Sequence, residues 1–155
     1  MLTDMQDRLI ASASVLRAVA RQLAPLHAQL RQQPSLPASL LSTIAALAHS
    51  VATLRRTVGD SLTAVSPLDA CRLALRPRVD ALKAQIAGSP SPPTQNQSEA
   101  LARLRQELAA ALAMMANLVA GELPTTNRLL DSHGLSAVRL SLKSSHAFTL
   151  ADDVT

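Results

Sequence analysis

Aromatic side chains are almost missing from this sequence: Phe148 stands alone among 155 residues, with no Trp and no Tyr. Any core must therefore be aliphatic, built from Leu, Val, Ile, Met and Ala. Sites that stack a base or a flavin on an aromatic ring are nearly excluded, with one ring in the whole chain. Cysteine is as scarce. Cys71 has no second cysteine to pair with, so neither an intramolecular disulfide nor a cysteine-based zinc site forms. Its expected role is that of a small buried hydrophobe.

Acids are absent over a long stretch. From Arg8 to Gly59 there are six arginines and no Asp or Glu, while the rest of the chain contributes a net −2, giving +4 overall. An Arg-rich, acid-free amphipathic segment is compatible with an anionic membrane surface, mitochondrial import or a phosphate backbone. Six charges spread over 52 residues are sparse, and a solvated helix face is the better explanation.

Long apolar runs are missing too. The longest uncharged stretch, residues 32–54, carries two prolines, four serines, two threonines and His49, where a membrane span would be apolar all round. The next, Leu108–Gly121, has 14 residues and is too short to span. No transmembrane helix is expected, and the acidic residues Asp4 and Asp7 do not suit a secretory signal.

Chemical motifs are absent as well. His27, His49, His133 and His146 lie far apart, without an HxxxH or ExxH pair, and neither GxSxG, SxxK, GxGxxG nor GxxxxGK[ST] occurs. Catalysis needs polar groups that converge on a pocket, and the sequence offers no such set. No catalytic, cofactor-binding or metal-binding residue is assigned, no cofactor or small-molecule substrate is expected, and the chain is read as a non-enzyme.

What is present is hydrophobic periodicity. Residues making up 48% of the chain are hydrophobic, which is too many for a disordered chain. They recur at 3-4 spacing, the mark of helices with one apolar seam. The first segment runs Leu2, Met5, Leu9, Ser12, Leu16, Val19, Leu23, Leu26, Leu30, and Pro34 to Pro37 break it. The second runs Leu40, Ile44, Leu47, Val51, Leu54, Val58 and stops at Gly59. The third starts at a Ser66-Pro67 cap, follows Leu68, Cys71 or Arg72, Leu75, Val79, Leu82, Ile86 and stops at Gly88. Pro25 and Pro77 fall inside these patterns and are expected to kink their helices.

Residues 88–97, with three prolines and no charged or apolar side chain after Gly88, read as an extended flexible linker. A cap at Asn96 or Ser98 then opens a fourth segment through Leu101, Leu104, Leu108, Ala111, Met115 and Leu118, ending near Gly121. Pro124 opens a short fifth helix, closed at His133-Gly134. Residues 135–155 are expected to form a poorly ordered tail, with a short strand or helix at 136–143.

The expected fold is all-α: an antiparallel helical bundle, or coiled-coil hairpins, of four long helices over residues 1–134 plus the short fifth. Leu9, Leu16, Val19, Leu23, Leu40, Ile44, Leu47, Val51 and Leu54 form the candidate interaction seam. Arg17, Arg21, Arg31, Arg55 and Arg56 form a candidate basic face, where Arg17 and Arg21 should tolerate alanine. The functional expectation is a helical protein–protein interaction module, a small coiled-coil subunit or adaptor that meets a helical partner or a second copy. Alternatives are an amphipathic protein at an anionic membrane, and weak, salt-sensitive nucleic-acid binding. The expected location is intracellular and cytoplasmic, with mitochondrial and nuclear locations left open.

Overall fold

The computed structural model describes residues 1–33, 35–60 and 74–140; the Ser66-Pro67 cap, Cys71 and the tail from residue 141 lie outside them. The described residues are all-helical, without strands, in four helices: α1 (Leu2–Arg31), α2 (Ala38–Val58), α3 (Leu75–Ala87) and α4 (Gln95–Ser132). α2 folds back along α1 after a short turn; α3 packs mainly on α1 and α4, and α4 lies chiefly along α2, with a smaller contact on α1.

Each helix is one-sided, and its apolar stripe decides which face turns inward. Leu9, Leu16, Val19 and Leu23 of α1 meet Leu40, Ile44, Leu47, Val51 and Leu54 of α2 in one cluster, which Leu75, Val79 and Leu82 of α3 extend. Ser12, the polar residue in the first seam, is buried beside Ala13. α1 runs through Pro25 without a break. In α3 the helix begins at Leu75 after an extended Ala74, so Pro77 sits in the first turn. A missing N–H costs nothing there, because no acceptor precedes it.

The start of α4 differs from the expected cap. Thr94 accepts from the Gln97 amide at 3.3 Å, and the Gln97 carboxamide accepts from the Thr94 amide at 2.9 Å. That is a full capping box, two residues ahead of Asn96, so Gln95–Gln97 belong to the helix and the exposed linker ends at Thr94.

A second difference lies near Gly121, where a helix end and a new fifth helix were expected. The rod continues instead. An α-helical stretch Gln95–Asn117 passes into a π-helical turn, Leu118–Glu122, and then into a further α-helical stretch, Leu123–Ser132. The buried positions explain the turn. Leu104, Leu108, Ala111, Met115 and Leu118 alternate by four and three, but the next core residue is Leu123, five further on. A regular helix would point Glu122 at the core. One surplus residue in the turn places Leu123 there instead, with its amide donating to the Leu118 carbonyl. Pro124, which has no amide to donate, follows directly.

α4 closes on a Schellman motif. Gly134 takes φ +69°, its amide donates to the Asp131 carbonyl at 2.9 Å, and the Leu135 amide donates to the Leu130 carbonyl at 2.9 Å. The chain then turns back as an irregular segment over Leu135–Leu140. The strand or helix expected from 136 is not formed through Leu140, and 141–143 lie outside the described residues. Val138 is nonetheless buried.

Candidate interaction surface

All nine residues of the expected interaction seam are buried within the single chain, none more than 3% exposed. The heptads of α1 and α2 are satisfied by each other and by α3 and α4. None of the nine is exposed for contact with another molecule.

The expected basic face divides. Gly59 takes φ +93°, and the amides of both Gly59 and Asp60 donate to the Arg55 carbonyl, at 3.0 and 2.9 Å. This turn folds Asp60 back over the last turn of α2. Its carboxylate takes Arg55 Nε at 3.0 Å and Arg17 Nε of α1 at 2.8 Å, with the Asp60 side chain only 7% exposed. The first acid after the acid-free stretch thus ties two of its arginines together and locks α2 to the middle of α1. Arg8 pairs with Asp4 on its own helix at 3.2 Å. Arg56 donates to Thr53. Arg21 and Arg31 form no ion pair among the described residues, and Arg31, Arg55 and Arg56 all lie in last turns, where cations suit the helix dipole.

α3 is fastened on two sides, to α1 and to α4. Gln6 links Asp80 and Lys83 to α1, and Arg78 makes a two-pronged pair with Glu107 of α4. The hydrogen bond from Arg78 holds the Glu107 carboxyl below its ordinary range against an opposing effect of burial, with the charges of Arg78 and Arg103 adding to the lowering. Among the described residues no three His, Cys, Asp or Glu come together.

The exposed side of α4 carries the feature without an internal explanation. The helix is long and apolar enough to cross a membrane, yet only 28% of its most apolar 18-residue window is buried. Between Glu107 and Glu122 it bears no charge. Ala109, Ala113, Ala116 and Ala120 are exposed at 4-3-4 spacing, a second seam opposite the buried one, and Met114, on the flank of the buried stripe, is 45% exposed. At 1.5 Å per residue this uncharged face is about 20 Å long. Next to it, α2 presents Ala45, Ala46 and His49 outward. A shallow, mainly apolar groove of about 460 Å³ separates the two helices at the π turn, between Thr43 and Ala46 on one side and Asn117, Gly121 and Thr125 on the other. Gly121 leaves open space where a side chain would stand.

Two carboxamides complete the polar architecture, and neither has a sequence signature. Gln22 of α1 and Asn127 of α4 hold the backbone of Arg139 and Val138. No family model, curated protein or solved structure matches this chain.

Proposed function

We propose that this chain is a non-enzymatic helical protein–protein interaction module, an antiparallel bundle that serves as a small coiled-coil-type subunit or adaptor in a larger assembly. The observation that carries this reading is the uncharged outer face of α4, whose most apolar window is 28% buried in the chain itself. Core helices of a self-sufficient domain bury such windows, and exposed apolar faces of this size mark contact surfaces. Alanines at heptad spacing let a second helix approach closely, and the groove beside Gly121 accepts a larger side chain from it. The partner is a helix, from another protein or a second copy.

The same face supports a second reading, an amphipathic surface that rests on lipid. Against it stand the missing interfacial Trp and Tyr and the use of Arg17 and Arg55 in an internal lock. Light scattering during size exclusion, together with recovery of partners from native extract, tests the first reading. Ala113→Glu with Ala116→Glu should abolish self-association or partner recovery and leave the melting temperature within about 2 °C, since exposed substitutions change stability by no more than about 0.5 kcal/mol. A monomer without partners, or association indifferent to both charges, refutes it. Flotation of the wild-type chain with anionic vesicles, lost in the same variant, would favour lipid.

A further inference from the structure

The segment after α4 is held in an unusual way. Asn127 Nδ2 donates to the Val138 carbonyl at 2.9 Å, and the Val138 amide donates to Asn127 Oδ1 at 2.8 Å. One residue further on, Gln22 Nε2 donates to the Arg139 carbonyl at 2.7 Å, and the Arg139 amide donates to Gln22 Oε1 at 2.8 Å. A planar carboxamide can take both the N–H and the C=O of one residue only when these point the same way, as they do in extended backbone. In extended backbone the next residue points the opposite way. That is why the two clamps come from different helices, α4 and α1, on either side of the segment. Gln22 Nε2 also donates to the Ala18 carbonyl at 3.1 Å, a bond within α1 that orients the carboxamide with Nε2 and Oε1 facing the matching backbone groups.

Nothing in these four bonds reads a side chain. Side-chain recognition is confined to Val138, 3% exposed, with Leu135 and Leu140 partly buried against the core. Ser136, Ala137 and Arg139 are exposed. Bonds to the backbone with pockets for a few side chains are how proteins bind extended peptides.

We infer that the cleft between α1 and the C-terminal stretch of α4 is a binding site for an extended peptide with an aliphatic anchor, and that residues 135–140 are its resident, displaceable occupant. The segment carries no helix or strand of its own to anchor it and enters the cleft at Gly134. A peptide of the same pattern in trans takes its place when the resident segment leaves. This site is distinct from the outer face of α4, and its test does not depend on that reading.

The probe is a fluorescent hexapeptide, Leu-Ser-Ala-Val-Arg-Leu, measured by anisotropy against three full-length chains. Val138→Asp unseats the resident segment and should bind the peptide saturably. The wild-type chain should bind at least tenfold more weakly, because its own segment competes at high effective concentration. Val138→Asp combined with Asn127→Ala should also bind at least tenfold more weakly. A folded Val138→Asp chain that ignores the peptide, or binds it equally well without Asn127, overturns the inference. Amide hydrogen exchange on the wild-type chain decides independently, also where Val138→Asp does not fold. The Val138 and Arg139 amides should be protected yet open faster than the helix cores, and Gln22→Ala should release Arg139 alone. Exchange of both only by global unfolding, or no protection at all, overturns it as well.

Discussion

Replacing Asp60 with Asn keeps the shape of the side chain and removes the charge that two guanidinium groups share. The carboxylate is 7% exposed and makes contacts of 2.8 and 3.0 Å, with Arg17 at 45% and Arg55 at 28% exposure. Hydrogen bonds to charged groups contribute about 1.5–3 kcal/mol each when enclosed, and both arginines regain water in part, which lowers the figure. The variant also brings two positive groups together with no anion between them. A net loss of about 2 kcal/mol follows, or roughly 4–8 °C in a chain of this size. Urea and thermal melts followed by circular dichroism measure it. A double-mutant cycle sharpens the test: Arg17→Ala should cost about 1 kcal/mol in the wild type and nothing in Asp60→Asn, where it relieves repulsion. Arg21→Ala should stay within about 0.5 kcal/mol. The structure thus separates two outer-face arginines that sequence position alone treats as equivalent. Additive costs at Arg17 and Asp60, or an Asp60→Asn loss below about 0.5 kcal/mol, would show that the lock does not hold α2 to α1.

Two further outcomes are expected. Gly59→Ala forces φ +93° on a residue with a side chain and drives its Cβ to 3.2 Å from Ala74 Cβ and Pro77 Cδ; it should cost about 1–3 kcal/mol, whereas Gly121→Ala, with open space around it, should cost nothing measurable by urea titration. Glu107 has a folded-state pKa below its unfolded value, so its contribution is present above the ordinary glutamate range, near pH 4.3, and is lost as pH falls through the lowered folded value. With Glu107 at 43% exposure the solvent-screened contribution is about 0.5 kcal/mol or less. The stability gap between wild type and Glu107→Gln should therefore be small and constant from pH 6 to 8, and vanish in acid; a gap that widens on acidification would contradict the assignment.

The parts of the fold legible in the sequence are those encoded locally. The 3-4 spacing from Leu2 to Leu30 and from Leu40 to Val58 marks two helices, and Gly59, Gly88 and Gly134 mark helix ends, the first and last through left-handed turns, because periodicity and turn conformation are properties of neighbouring residues. The π turn was not legible as such. Its signal is a single five-residue step from Leu118 to Leu123, which Gly121 and Pro124 disguise as a helix end. The Thr94 cap was hidden by Asn96 and Ser98, which offer competing side chains within four residues. Asp60 reads as a loop acid until the Gly59 turn folds it onto Arg17, 43 positions earlier. The carboxamide clamps are the least legible, since Gln and Asn are ordinary surface residues and their partners are backbone atoms.

The Gln22–Arg139 clamp also bears on the order in which the molecule is completed. It joins positions 117 apart in sequence, so during synthesis at about 5–20 residues per second α1 waits roughly 6–23 s for that partner to be made. Long-range contacts of this kind are slow because loop closure must precede their reward. In the folded chain the Gln22 carboxamide is also held from within its own helix, by the Ala18 carbonyl. Seating of the last described stretch should therefore be a late folding event, separable from assembly of the helices.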